Sequence, residues 1–207
     1  MSPANCGGQR ARMVMSPTAR FELAVRLRNG SGVALGEVFA FVSGLYFRGK
    51  LAYALTFARP PEPDDAIVGS GALVITPSAG LRPVETPVTI DALRSFAAVD
   101  IAAADARYRE PLLASARTLD RELGQACDVV LLGSIASTKY VEVLKEVFGE
   151  RLLFPTDFVG RGDMSRGGLL LRCARAGQEL PYAPVAGAVR HGKRPPKLAP
   201  LPRDRQG

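Results

Sequence analysis

Residues 128–155 read DVVLLGSIASTKYVEVLKEVFGERLLFP, and this stretch decides the predicted fold. It opens on a continuous apolar run, and a second such run, Leu152–Pro155, follows after Gly149. Runs that are apolar throughout are typical of strands buried on both faces of a parallel sheet. Between the two apolar runs, the apolar residues recur at helical spacing. Four of them would share one face of a helix, namely Tyr140, Val143, Leu144 and Val147. The stretch therefore predicts a strand, a helix that ends at Gly149, and a second strand.

The same order of strand and helix recurs outward from this stretch. An edge strand is predicted at Phe21–Arg28, and buried strands at Val38–Val42 and Ala72–Thr76. Helices are predicted at 45–58, from residue 89 with Thr89 or Asp91 as the cap, at 105–125 and at 164–176. Alternating strands and helices favour a sheet covered by helices on both faces. We therefore predict an α/β fold, a three-layer α/β/α sandwich with a mainly parallel central sheet of four or five strands.

Composition divides the chain into a folded middle and two basic ends. Residues 1–20 lack periodicity and predict a disordered N-terminal extension, whereas residues 21–184 predict a single α/β domain. Residues 185–207 are rich in proline and basic side chains and predict a tail. The net charge of +7 comes mainly from these ends. They either bind phosphate backbones or are simply solvated.

Nothing in the sequence predicts export or membrane insertion. No window approaches 18 uninterrupted apolar residues, and the first fifteen residues lack the hydrophobic region of a signal peptide. Cys6, Cys127 and Cys173 form no C-x-x-C pair, so we expect reduced thiols and no thiolate metal site. We expect Cys127 and Cys173 to be buried, as free cysteines usually are. We predict a cytoplasmic protein without a membrane partner.

Candidate site residues follow from the predicted topology, because ligands of open parallel sheets bind beyond the carboxyl ends of the strands. The polar residues that we predict to bind a ligand there are Ser43, Tyr46, Arg48, Lys50, Gly133, Ser134, Thr138, Lys139, Arg161, Ser165 and Arg166. We expect the loops 133–139 and 160–166 to face each other across one pocket, with Arg48 or Lys50 at its rim.

Each group of these residues also has a structural interpretation. Ser137 and Thr138 either hold a phosphate or carboxylate or cap the next helix. The glycine-rich loop with Arg161 and Arg166 either clamps an anion or is a solvated turn. Tyr46 either stacks on a base or belongs to the core.

Catalytic candidates are limited by the scarcity of histidine. The single histidine, His191, lies in the predicted tail, which argues against histidine-dependent triads and histidine-ligated metals. Acid–base chemistry would then depend on carboxylates, for which Asp157 and Asp163 are the candidates. We predict no cofactor and no metal.

Four motifs occur in a recognisable order: the run ending at Ser43 followed by LYFRGKLAYA, then ITPSAGL, LLGSIASTKYVEVL and FVGRGDMSRGGLLLR. In this order they resemble a group of poorly characterised small bacterial proteins whose fold is similar to uracil-DNA glycosylase. The group includes accessory domains of tRNA-guanine transglycosylase-like and archaeosine-synthesis enzymes. The similarity spans residues 36–176 and implies that fold. Glycosylase chemistry is not implied, because Ser43 and Gly44 replace the water-activating residue and no histidine precedes His191.

The resulting hypothesis is a protein that binds a nucleotide, a nucleobase or a nucleic acid. If it is an enzyme, we expect it to act on an N-glycosidic bond or a modified base, with Asp157 or Asp163 as acid or base. The alternative is a non-catalytic module that binds nucleic acid or another protein through its basic tails.

Overall fold

The structure is a computed structural model that describes residues 1–65 and 68–198. Helix predominates, with 46% of the chain helical and 11% in strands. The α-helices in the described residues are α1 (Gln9–Met15), α2 (Glu22–Arg28), α3 (Leu35–Ser43), α4 (Leu45–Phe57), α5 (Ile90–Ala97), α6 (Ala106–Leu123), α7 (Val141–Phe148) and α8 (Asp163–Ala176). None of these helices is long and apolar enough to cross a membrane.

The strands are short and belong to three separate small sheets. They are β1 (Val33–Ala34), β2 (Leu73–Thr76), β3 (Gly80–Pro83), β4 (Pro87–Val88), β5 (Val129–Val130), β6 (Leu152–Pro155) and β7 (Tyr182–Pro184). β1 pairs with β4 and β2 with β3, both antiparallel. In the third sheet the order is β5, β6, β7, with β5 parallel and β7 antiparallel to β6.

The predicted three-layer sandwich with a parallel sheet of four or five strands is wrong. The sheets of the described residues have two or three strands each, and their one parallel pairing joins β5 to β6. A short apolar run does not distinguish a buried strand from a buried helix, and two runs predicted as strands are helical. The chain is a mixed α/β protein in which helices supply much of the core.

Both misassigned strands lie in the first third of the chain. Val38–Val42 belongs to α3, which ends at Gly44, where a φ of 67° lets the chain turn directly into α4. Phe21–Arg28 coincides with α2, whose buried Ala24 and Leu27 lie three residues apart on one helix face. The apolar residues of FELAVRLR fit both the two-residue period of a strand and the 3.6-residue period of a helix. Packing against the rest of the core therefore decides that this segment is helical.

The strand, helix and strand predicted over residues 128–155 are confirmed as β5, α7 and β6, although β5 is only two residues long. β2 is also confirmed. So are the helix capped by Thr89, whose Oγ1 accepts from the Ala92 amide at 3.3 Å, the long helix α6 and the last helix α8. Long periodic segments and their caps could therefore be predicted from the sequence.

The two ends of the chain differ from each other. The predicted disorder of residues 1–20 is wrong, because this segment contains α1 and buries Ala11 and Val14 in the main core. Its apolar residues are few and most of them are buried, although Met13 is 49% exposed. The tail predicted from residue 185 has no helix or strand up to residue 198, and Arg190 pairs with Glu142 at 2.6 Å. Residues 199–207 of that prediction lie outside the described residues.

Helices α4 and α8 lie side by side and make the most extensive helix contact. Two glycines allow this approach, since a Cβ on Gly49 would lie 2.5 Å from the carbonyl oxygen of Gly167. A Cβ on Gly167 would in turn lie 2.7 Å from the Cα of Tyr46. The backbones therefore touch, and α4 becomes the element that positions side chains at both of its ends.

Candidate functional site

The predicted ligand-binding residues on α3 and α4 divide between surface and core. Arg48 is exposed, and Ser43, the last residue of α3, is half-buried. Tyr46 is buried, and Lys50 is only 1% exposed. The expectation that Lys50 lies at the rim of a pocket is therefore wrong.

Lys50 is the centre of a buried polar cluster, which consists of Ser2, Tyr46, Lys50, Tyr140 and Arg166. Its ammonium nitrogen Nζ donates to the carbonyl oxygen and to Oγ of Ser2, both at 2.8 Å. The same nitrogen lies 4.6 Å from the centre of the Tyr46 ring. Tyr140, beside Ser2, donates its hydroxyl to the Ser134 carbonyl at 3.1 Å. The cluster thus ties the start of the chain to α4 and to the loop after β5.

Burial controls the ionisation of the cluster. Desolvation lowers the pKa of Lys50 to about 7, and the negative charge of Asp163 opposes this shift. Burial raises the pKa of Tyr46, while the neighbouring Arg166 opposes that shift. None of the ion pairs among the described residues involves Lys50. Lys50 therefore gives up its proton far more readily than an exposed lysine.

The two arginines of the glycine-rich loop use their donors within the protein. Arg166 donates Nε and Nη2 to the Phe158 carbonyl at 3.2 and 3.1 Å, and Nη1 pairs with Asp163 at 3.2 Å. Arg161 donates to the Asp157 carbonyl at 3.0 Å and to Ser165 Oγ at 3.3 Å. These contacts fit the structural interpretation of the loop better than an open anion clamp.

The structure brings together only part of the predicted site. Gly133, Ser134, Tyr46, Lys50 and Arg166 meet around the polar cluster, with Asp163 next to Arg166. Thr138 and Lys139 are exposed in the turn before α7, and Asp157 is half-buried in a 3-10 turn before α8. Arg166, at the end of the loop 160–166, interacts electrostatically with Tyr140, which directly follows the loop 133–139. The guanidinium donors of Arg166 are bound to Phe158 and Asp163.

A cavity that the sequence did not predict lies at the other end of α4. This inner cavity has a volume of about 200 Å³ and is bounded by the carboxyl-terminal half of α4, the β2–β3 hairpin, the end of α6, β5, α7 and β7. Most of its lining is apolar, including Ala54, Phe57, Leu123 and Val130. An outer groove of about 520 Å³ continues from it toward solvent. We call the two together the cleft.

A chain of hydrogen bonds borders the mouth of the cleft. The Leu180 amide donates to the Tyr53 hydroxyl at 2.8 Å, and the two hydroxyls of Tyr53 and Tyr182 lie 2.6 Å apart. Tyr182 donates its proton to Glu179 Oε1 at 2.8 Å, so the proton between the two hydroxyls belongs to Tyr53. Burial, followed by the hydrogen bond to Tyr53, raises the pKa of Tyr182. Tyr182 therefore stays protonated and orients the Glu179 carboxylate.

Three further functional groups line both parts of the cleft, namely Arg59, Cys127 and Asp128. Arg59 donates Nη1 to the Phe57 carbonyl at 2.8 Å. Cys127 is half-buried, unlike the buried Cys6 and Cys173, and burial raises the pKa of its thiol. The expectation of a fully buried Cys127 is therefore wrong. The mouth carries one guanidinium, two carboxylates, a thiol and two tyrosine hydroxyls around a mostly apolar interior.

No predicted ligand-binding or catalytic residue lines the cleft. Its lining comes from several helices, strands and loops that are far apart in the sequence, and the apolar side chains among them resemble ordinary core when each is considered alone. The one local signal was the spacing of Tyr53 and Phe57, one helical turn apart just before Pro60 and Pro61. An aromatic pair at a helix end beside a proline turn marks the boundary of a core, where a cavity can open.

Comparisons with known proteins identify no relative. No protein-family model matches the chain, no curated protein matches it, and no solved structure matches it. The resemblance to proteins with a uracil-DNA-glycosylase-like fold gains no support from them and stays a hypothesis.

Proposed function

We propose that this protein binds a nucleobase, alone or within a nucleoside or nucleotide, with the base in the inner cavity. The observation that carries the proposal is an apolar cavity of ring size whose mouth combines oriented hydrogen-bond acceptors with a guanidinium. Small-molecule sites usually have this form, a mostly apolar enclosure with a few convergent polar groups.

The size of the inner cavity favours a single ring. An apolar cavity of about 150 Å³ engineered into another protein holds one benzene molecule. At about 200 Å³, the inner cavity is somewhat larger and admits a six-membered ring with one or two substituents. Phe57 supplies an aromatic surface within the lining, and aromatic side chains are common stacking partners of bases.

The outer groove has room for the rest of a nucleoside or nucleotide. It is open and lined by polar as well as apolar residues, among them Arg59. The guanidinium of Arg59 uses one donor on the Phe57 carbonyl, and its fork geometry suits a phosphate. A base in the inner cavity thus leaves the sugar and phosphate beside a cation.

The proposal is one of binding, without a catalytic role for Asp157 or Asp163. Both carboxylates lie on the α8 side of the polar cluster and outside the lining of the cleft. A carboxylate must be within hydrogen-bond reach of the proton that it transfers, and neither is near a base bound in the cleft.

The first experiment asks whether a ligand occupies the cleft. The purified protein is denatured, and any released small molecule is identified by mass spectrometry. In parallel, the rate of modification of Cys127 by a thiol reagent is measured with and without millimolar cytosine, adenine, uracil or hypoxanthine. We expect a bound base to slow modification of Cys127 and leave the buried Cys6 and Cys173 unaffected. Equal rates with every base would contradict the proposal.

A matched pair of variants tests the location. Ala54→Phe fills the inner cavity, whereas Leu55→Phe changes the next residue on α4, which is 57% exposed and does not line the cleft. We expect Ala54→Phe to abolish binding of the base in calorimetric titration and Leu55→Phe to leave it unchanged. Binding that survives in Ala54→Phe would place the ligand elsewhere.

The tail supports a second candidate function, contact with the phosphate backbone of a nucleic acid. Lys193, Arg194 and Lys197 are exposed, and Arg190 anchors the segment to Glu142. Binding of this kind weakens steeply as salt is raised because it releases counterions. We expect affinity for single-stranded DNA to fall at least tenfold between 50 and 200 mM salt and to be lost when these three residues become serine. Salt-independent affinity would refute this candidate.

A further inference from the structure

Two carboxylates border the cleft without a cationic partner. Glu179 and Asp128 line both the inner cavity and the outer groove. Neither takes part in an ion pair among the described residues. Ionised carboxylates only accept hydrogen bonds, so the mouth presents acceptors that the protein does not fully use.

Glu179 is the better oriented of the two. Its Oε1 accepts the proton of Tyr182, and Tyr182 is in turn held by Tyr53, whose hydroxyl accepts from the Leu180 amide. This chain of three hydrogen bonds fixes one carboxylate oxygen. Among the described residues the second oxygen accepts no hydrogen bond, so it is available to a donor at the mouth. Because Glu179 is exposed, water pairs this oxygen in the free protein. Discrimination comes from the bound ligand: a donor replaces that water, whereas an acceptor at the same place displaces it without a new hydrogen bond.

We propose that Glu179 selects bases that carry an amino group, cytosine and adenine, over their keto counterparts, uracil and hypoxanthine. The inference rests on the proposed function and names the class of base. A glutamate accepts the amino group of cytosine directly, whereas the carbonyl oxygen at the same position of uracil faces it acceptor to acceptor. Given the single-ring size of the inner cavity, cytosine is the preferred base.

The Glu179→Gln variant replaces a hydrogen-bond acceptor by a donor at one position of the cleft. In Glu179→Gln the side-chain carbonyl still accepts from Tyr182, which turns the amide NH₂ toward the cleft. The group that faced the ligand as an acceptor is then a donor. The preference should therefore shift from the amino base toward the keto base, a change that a general loss of folding or binding does not produce.

The test is calorimetric titration of the full chain with cytosine, uracil, adenine, hypoxanthine and benzylamine. We expect cytosine to bind at least tenfold more tightly than uracil and adenine more tightly than hypoxanthine. We expect Glu179→Gln to remove or reverse both preferences. Tyr182→Phe should reduce them, and Glu150→Gln, which makes the same charge change at an exposed residue outside the lining, should leave them intact.

The outcomes separate the two proposals. If the bases bind but uracil equals or exceeds cytosine, or if Glu179→Gln keeps the original preference, the role of Glu179 is refuted and base binding stands. If no base binds, or only benzylamine does, base binding itself is refuted and the role of Glu179 falls with it.

Discussion

The two ends of α4 contrast in how they use polar groups. At its amino-terminal end, Lys50 and Arg166 are enclosed and hydrogen-bonded to other parts of the chain. At its carboxyl-terminal end, Glu179 and Arg59 border an apolar cavity and retain hydrogen-bonding capacity. Glycines, hydroxyl groups and charged side chains are more frequent around the amino-terminal end of α4, yet the cavity lies at its carboxyl-terminal end. Density of polar residues along the sequence is therefore a poor guide to a binding site when those residues satisfy one another.

Replacing a glycine at the α4–α8 contact should have the largest effect. In Gly167→Ala the new methyl group would lie 2.7 Å from the Cα of Tyr46, so the helices must separate. We expect the free energy of unfolding to fall by about 3 kcal/mol, at the upper end of overpacking effects. The matched control is Gly168→Ala, where the nearest atom, in the Arg172 side chain, is 3.4 Å away. There the better helix propensity of alanine should raise stability by up to about 1 kcal/mol. Chemical denaturation of both variants measures the difference, and equal stabilities would show that the helices are not in backbone contact.

Truncation of Lys50 should come next. Lys50→Ala removes two hydrogen bonds to Ser2 and the packing of three methylene groups, and we expect a loss of roughly 2–3 kcal/mol in chemical denaturation. Lys50→Met keeps the methylene packing and should lose much less. Base binding in the cleft should be unchanged in both variants. A selective loss of binding would instead return Lys50 to the functional site.

Raising the pH should stabilise the protein through Lys50. Its pKa is about 7 in the folded state and near its ordinary value of 10.5 when unfolded. Between these values the unfolded chain binds more protons, so the free energy of unfolding rises with pH. We expect a gain of roughly 2 kcal/mol from pH 7 to pH 9, measured as the wild type minus Lys50→Met so that titrating groups not coupled to Lys50 cancel. A flat difference would mean that Lys50 titrates normally.

At the cleft, removal of one hydroxyl should have the smallest effect on stability. Tyr53→Phe leaves the buried Leu180 amide without its acceptor, and we expect a cost of about 1–1.5 kcal/mol in thermal or chemical denaturation. Tyr182→Phe removes the donor to Glu179 and the acceptor of the Tyr53 proton. Both bonds lie at the mouth of the cleft, where water can replace the lost hydroxyl, so its cost should be lower still. If Tyr182→Phe is the more destabilising variant, Glu179 serves the fold and not a ligand.

About half of the helices and strands could be predicted from the sequence. The β5–α7–β6 unit, the helix capped by Thr89 and the helices α6 and α8 follow from long periodic patterns and local capping, which act within a few residues. The prediction of a strand at Val38–Val42 was wrong because its five apolar residues fit the period of a helix as well as that of a strand. The prediction for residues 1–20 was wrong because a segment with few apolar residues can still be ordered when some of them, here Ala11 and Val14, are buried in the main core.

The sequence by itself determined the helical periods, the caps, the basic ends and the absence of a histidine-based site in the main body of the chain. Tertiary structure alone decided which polar groups were enclosed and which faced a cavity. The lining of the cleft comes from residues far apart in the chain, such as Tyr53, Cys127 and Glu179. Local patterns report how each segment buries its own apolar face. A cavity forms where the side chains of several helices and strands leave unfilled space between them. Its position is therefore a property of the packed molecule.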